Sequence, residues 1–355
     1  MNKWYSIAFL IAFISIIGIR IYASNIFTTL SHKDEATVQI VDSKGRTVEI
    51  SYPLTDVVVV NPYNAELITA VGAAHTIRGV DQDVYENRGA FPVPITADML
   101  IGGHGEVQIN FEKIIRLHPQ AVFLDGGKDV DRIEKILGIF GIPVIVLKAD
   151  SAIYFSSNCR LLGKIFQREE RAAQLESYFT YWENYVRVRL QDVPRKRVYY
   201  ECRRFARAVV PGEFFNEMLE PAHAENIFSD AGSIYVSPEY ILLRKPEYIV
   251  RLSDINDPYS CYPPSRSRFE EIAQTMYERP CWKYMDAVEK NRMFFFSYYS
   301  HGGAGKIVGA MFLAKYLYPE YLPDLQPEEI LRVWMEEYQG IPYQGGHTFT
   351  PEVQS

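Results

Sequence analysis

A short pattern occurs twice in this chain. Asn110-Phe111-Glu112-Lys113-Ile114-Ile115 leads to Pro119 and Val122, and Ser237-Pro238-Glu239-Tyr240-Ile241-Leu242 leads to Pro246 and Ile249. The two copies lie 127 residues apart. That spacing is too wide for a short-period solenoid and suits two similar lobes. Asn110 and Ser237 are good helix N-caps, and Pro238 suits a first helical position. Glu112 and Glu239 then fall in first turns, where the helix dipole favours negative charge. The prolines stop the helices. The apolar runs 121–124 and 248–252 that follow read as buried strands of parallel sheets.

The 355 residues suffice for two domains with real cores. A net charge of −7 argues against non-specific nucleic-acid binding, so no nucleic-acid partner is expected. Residues 1–23 differ from the rest: Lys3 gives a positive start, Trp4 to Ile19 is nearly all apolar, and Ile21-Tyr22-Ala23 offers a cleavage site. This predicts a secretory signal peptide and a periplasmic or extracytoplasmic location, with an uncleaved membrane anchor as the alternative. No cysteine follows the apolar run, which excludes a lipid anchor on cysteine. Export permits disulfides. Four cysteines allow three complete pairings. Cys261 and Cys281 flank one polar excursion and are the expected pair, while Cys202 is a candidate neighbour of the ligand.

Along the chain, Val38 to Ile50 alternates around Asp42-Ser43-Lys44-Gly45, a hairpin signal. A first α/β lobe is expected over 36–150, with strands at 57–60, 77–81, 121–124 and 143–147. Between Asn158 and Val193 there is no Pro and only one Gly, Gly163. Apolar residues recur there near helical spacing, which predicts one long linking helix over 157–193, up to about 50 Å long at 1.5 Å per residue. A second α/β lobe is expected over 196–340, including a helix from Asn216 to Asn226, and 341–355 reads as a tail.

These features together resemble the periplasmic substrate-binding proteins of ABC importers for iron–siderophore, haem and cobalamin. The resemblance runs from about Val38 to Tyr338. It rests on the opening Val41-Asp42-Ser43-Lys44-Gly45-Arg46-Thr47-Val48, on Leu67 to Ala73 with Arg78-Gly79-Val80-Asp81, on the doubled Glu…Pro pattern, and on Leu313 to Glu320. It implies an α/β fold of two Rossmann-like lobes with parallel-type sheets, joined by one long α-helix, with the ligand cleft between them. It implies no catalysis and no resident cofactor. It also implies a monomer whose Glu112 and Glu239 meet arginines of the membrane permease. The alternative for both glutamates is simple helix-dipole stabilisation, about 0.3–1 kcal/mol each.

Ligand candidates come from loops after strands, which line the crevice of open α/β sheets. In the first lobe these are Asn61, Tyr63, His104, Gly126, Gly127 and Lys128; in the second, Arg203, Arg204, Ser253, Asp254, Tyr298, Tyr299 and His301. Arginines there suit the carboxylates of a chelate or an oxyanion. Tyrosine oxygen and imidazole suit iron or haem, and the alternative for Tyr298 to His301 is a partly buried strand end. Gly302-Gly303-Ala304-Gly305-Lys306 is not a P-loop, since Ser300 replaces the first Gly and Ile307 the Ser/Thr. Seven histidines with no H-x-H or HExxH spacing favour a complexed metal over a bare ion. With the resemblance, the implied cargo is an iron complex, a siderophore-like chelate or haem. Cobalamin, or an oxyanion such as molybdate or tungstate, is the alternative on the same scaffold. An extracytoplasmic α/β enzyme would need a nucleophile–base constellation, and no G-x-S-x-G occurs.

Overall fold

The computed structural model describes residues 36–254, 256–257 and 259–351, so the expected signal segment 1–23 lies outside the described residues. The hairpin pairs β1 (Thr37–Val41) with β2 (Thr47–Ser51). Its turn is organised by the buried Asp42 carboxylate, which accepts hydrogen bonds from the backbone of Lys44 and Arg46 and from the Arg46 guanidinium. The same carboxylate accepts the Val146 N–H at 3.1 Å, tying the hairpin to the first lobe.

The first lobe holds β3 (Val57–Val59), β4 (Ile77–Val80), β5 (Ala121–Leu124) and β6 (Val144–Val146), parallel and in the order β4-β3-β5-β6. The second holds β7 (Lys196–Glu201), β8 (Ala224–Asn226), β9 (Tyr248–Leu252) and β10 (Met293–Phe296), also parallel, in the order β8-β7-β9-β10. The lobes thus repeat one topology. Nearly every strand residue is buried, because helices cover both sheet faces. The second sheet gains an antiparallel edge strand, β11 (Thr348–Phe349), paired to Phe295 and Phe296. The expected tail 341–355 is therefore partly structural: His347 is buried and its ring meets Ser297 Oγ at 2.7 Å.

First-lobe helices are α1 (Pro62–Ala70), the short α2 (Gln82–Glu86), α3 (Phe111–Leu117) and α4 (Val130–Gly138). The segment read as one helix over 157–193 is two. α5 (Phe155–Ile165) and α6 (Glu169–Leu190) are broken where Gln167 takes φ 55°. Gly163 makes the fold-back possible: a Cβ there would lie 2.7 Å from the Ala172 Cβ and 3.2 Å from the Glu169 Cα. The helix linking the lobes is α6 alone, 22 residues and about 33 Å long. The second lobe carries α7 (Pro238–Arg244), α8 (Arg266–Tyr277), α9 (Asp286–Glu289), α10 (Gly305–Leu317) and α11 (Pro327–Val333), which runs on into a π turn over Trp334–Tyr338. The expected helix 216–226 is a 3₁₀ turn, Phe214–Met218, followed by β8. Pro221 interrupts the helix and His223 takes φ 56°.

One apolar core runs through both lobes, from Ile40 and Val59 through Leu175 and Phe179 of α6 to Val250 and Trp334. The expected Cys261–Cys281 disulfide does not form; all four cysteines are free. Cys261 is buried in that shared core, whereas Cys281 is exposed and lines a surface cavity beside Lys245 and Tyr284.

Candidate functional site

The first-lobe wall of the cleft begins at Asn61, which follows the buried β3 and takes φ 83°. Its side chain caps α1 by accepting the Tyr63 N–H at 2.8 Å and donates to Asp125 across the next loop at 3.1 Å. This fixes Tyr63 at the first turn of α1, where its ring lies on the second lobe. A Cβ on Gly302 would fall 2.1 Å from Tyr63 Cε1, so only glycine permits the approach. Gly126 and Gly127 donate their N–H groups to Glu106 Oε1 at 2.9 and 3.1 Å. Burial, reinforced by Asp125, pushes the Glu106 carboxyl up to about 7. Lys128 is exposed on this loop. His104 is also exposed and pairs with Asp83 at 2.7 Å. Ligating atoms of Asp83, Glu86 and His104 lie within 4.8 Å of one another, a set whose chemistry suits a divalent cation.

The second-lobe wall follows β7. Arg203 takes φ 39°, donates to the Asp257 carbonyl at 2.6 Å and lays its guanidinium 4.3 Å from the centre of the Tyr298 ring. Its Nε is buried without a partner. Arg204 is exposed, and Arg207 pairs with Glu213 at 2.8 Å. Arg203, Arg204 and Arg207 line a cavity of about 310 Å³ with Phe215, Tyr235 and Tyr298. Tyr298 also walls a second cavity of about 420 Å³, lined from the first lobe by Asn61, Tyr63, Asp83 and Glu86 and from the second by Tyr259. The cleft is therefore cationic on one side of Tyr298 and acidic on the other. A roomier cavity, about 860 Å³, lies beside Lys245, Glu247 and Arg292 at the amino ends of β9 and β10, away from the carboxyl ends where such sheets bind ligands.

Two sequence candidates turn away from the cleft. Tyr299 is buried, and its hydroxyl accepts from Trp334 Nε1 at 3.1 Å. His301 is fully buried, with its Nδ1 2.8 Å from the Tyr200 hydroxyl and Phe215 and Phe296 rings around it. Burial, then Lys306 and Arg203, hold this imidazole well below its ordinary value, so it is neutral. The reason is local: Tyr299–His301 is a 3₁₀ turn, which splays successive side chains, and only Tyr298 faces the cavities. The glycine-rich start of α10 is likewise closed to an anion, because Tyr63 covers Gly302 and Gly303.

Other residues enter without having been singled out. Lys306 is buried over the Phe214 ring at 3.6 Å and pairs with Glu217 at 3.0 Å. Glu217 also accepts from Ser151 Oγ and the Ala152 N–H, fastening the second lobe to the segment before α5. Lys306 was visible as the lysine after a glycine-rich stretch; Glu217, Arg207 and Tyr259 carry no local signal and are assembled only by the fold.

The doubled pattern lies outside the cleft. Asn110 caps α3 by accepting the Lys113 N–H at 3.1 Å, and Ser237 caps α7 by accepting the Tyr240 N–H at 3.3 Å. Both helices end at left-handed residues, His118 at φ 47° and Lys245 at φ 46°, just before the prolines. Glu112 is 74% exposed and pairs with Arg116 on its own helix. Glu239 is exposed, and its own backbone N–H, then the Ser237 hydroxyl, hold its carboxyl below the usual range.

A model of the family described as periplasmic binding protein matches residues 57–297. YvrC of Bacillus subtilis, described as an uncharacterized ABC transporter substrate-binding lipoprotein, is 22% identical over 294 residues, covering 80% of this chain and 86% of that protein. Among solved structures, the TroA-like periplasmic binding protein FepB of Veillonella parvula is similar at TM-score 0.75 and 21% identity, covering 89% of this chain and 100% of that one. The molybdate-bound periplasmic binding protein MolA of Haemophilus influenzae is similar at TM-score 0.66 and 17% identity, covering 86% and 99% respectively.

Proposed function

Because the chain belongs to the periplasmic binding protein family, as a substrate-binding protein of an ABC transporter rather than an enzyme, we propose that its cargo is an anionic iron complex held between the lobes. The observation that carries this reading is the gathering of Arg203, Arg204 and Arg207 around one cavity with Tyr298. A ferric chelate with carboxylate or catecholate arms, or a haem with its propionates, presents negative oxygens around an organic body. Guanidinium forks and a tyrosine face match both parts. His301 is walled in by aromatic rings behind the cleft, and among the described residues no imidazole lines either cavity, unlike the imidazole set of a bare-ion cage. Each cavity is small, and movement of Tyr298 would join the two.

Purification of the full chain from its native source, with metal analysis and an absorption spectrum, tests this. Iron with a charge-transfer or Soret band is the expected result. A colourless protein carrying molybdenum or tungsten would overturn it in favour of an oxyanion, the second reading. That reading is supported by the same arginines and by likeness to a molybdate-bound protein.

A substrate-binding protein of an ABC importer works with a membrane permease, and among the described residues no helix is long and apolar enough to cross a membrane itself. In the same proposal Glu112 and Glu239 dock on arginines of that permease. Their matched position in first turns of α3 and α7, exposed and outside the cleft, supports this reading. Glu112→Arg and Glu239→Arg are each expected to abolish uptake with ligand affinity unchanged. A parallel loss of affinity would count against docking.

A further inference from the structure

Glu66 lies on α1, only 2% exposed. Its Oε1 accepts the Tyr259 hydroxyl at 2.6 Å, and its Oε2 has no partner. The bond joins the lobes, since Tyr259 comes from the second. Around it the 259–263 segment spreads over the first lobe: Tyr259 packs edge-on against Tyr63 at 4.8 Å, and Tyr262 lies beside Gly89. On its other side Asp257 is held by Arg203 at 2.6 Å. The segment is thus anchored to the second lobe and reaches the first through Tyr259, which walls the larger cleft cavity.

We propose that Glu66 and Tyr259 form a latch that holds the 259–263 segment against the first lobe while Glu66 carries a proton and releases it when that proton is lost. The groups facing Glu66 are Tyr63 from α1, Tyr259 and Cys261 from the segment, Tyr299 from the turn before α10, and Gln339, whose Nε2 donates to the Glu66 carbonyl at 3.1 Å. Tyr299 is backed by the His347 ring at 5.0 Å, and burial holds that imidazole neutral, down to about 4. All are uncharged near neutrality, and none is a cation. An ionised Glu66 would keep one donor and no counter-charge, with Oε2 sealed from water. Burial accordingly pushes the carboxyl up to about 8, against the opposing Tyr259 hydrogen bond. Lifting the segment lets water reach Oε2, so ionisation favours opening. Lifting it widens the cavity lined by Tyr63, Tyr259 and Tyr298.

Cys261 reports the opening, since it is buried within the segment. The full ligand-free chain is labelled with a small neutral methanethiosulfonate reagent between about pH 6 and pH 9.5, and the Cys261 peptide is followed by mass spectrometry. Thiolate formation speeds labelling in every variant, so the quantity read is the ratio of wild type to Glu66→Gln, whose amide accepts the Tyr259 bond without ionising. The ratio is expected near one at pH 6 and roughly tenfold or more at pH 9.5. A ratio within about twofold across the range overturns the latch. Tyr259→Phe is expected to label faster than wild type already at pH 6; labelling as slow as wild type there would also overturn it. No ligand enters the test, so its outcome is separate from the identity of the cargo.

Discussion

At the scale of single residues, buried titratable groups give the protein a pH signature. Glu66 ionises at about 8 in the fold, raised by burial from an ordinary 4.5. The folded chain therefore holds a proton that the unfolded chain has released across that window. The stability that Glu66 contributes is full below pH 4.5 and falls as pH rises through 8, by roughly 3–5 kcal/mol in total. His347 has the opposite sign: burial lowers it to about 4 from 6.5, so stability is lost as pH falls through that interval. Above pH 6.5 the Glu66 loss runs unopposed by the histidine. Denaturant midpoints from pH 6.5 to 9 are expected to decline in wild type and to stay nearly level in Glu66→Gln. Parallel decline in both chains would show that another group carries the effect. Neither residue was legible beforehand, because burial of a lone Glu within a helix that reads Ala65-Glu66-Leu67 depends on what packs over it.

At the scale of elements, local rules were readable wherever one residue fixes the backbone. The caps Asn110 and Ser237, the stopping prolines and the apolar strand runs all sit where their chemistry places them. The break between α5 and α6 was hidden because Gln167 adopts a left-handed conformation with no glycine to announce it. Gly163 looked like a tolerated helix interior and is instead the contact point of a helical hairpin. Gly163→Ala separates these readings. Helix propensity alone favours alanine by about 1 kcal/mol. The 2.7 Å clash with Ala172 opposes it, and overpacking of this kind costs about 1–3 kcal/mol. A lower urea midpoint is expected, and a higher one would show that α5 and α6 part easily. The turn at Tyr299–His301 was misread for a similar reason: a polar aromatic run after a strand continues outward only if the backbone stays extended.

At the scale of the whole molecule, two lobes of identical strand order share one core through α6, and Tyr63 of the first lobe rests on Gly302 of the second. Duplication was visible in the doubled Glu…Pro pattern because it recurs in sequence. The cleft was visible only in part, because its walls are drawn from loops far apart in the chain. Arg203 and Tyr298, named from their positions after strands, line its cavities, whereas Arg207 and Tyr259 were gathered by packing. The division of the cleft at Tyr298 into arginine and carboxylate sides is the feature on which the functional reading turns. It is tested most directly by equilibrium titration of the purified chain with a ferric tris-catecholate, haem and molybdate, in wild type and Arg203→Ala. The expected result is saturable binding of an iron complex, weakened roughly ten- to a hundredfold by the substitution. Binding of molybdate alone, or iron-complex binding indifferent to Arg203, would contradict it.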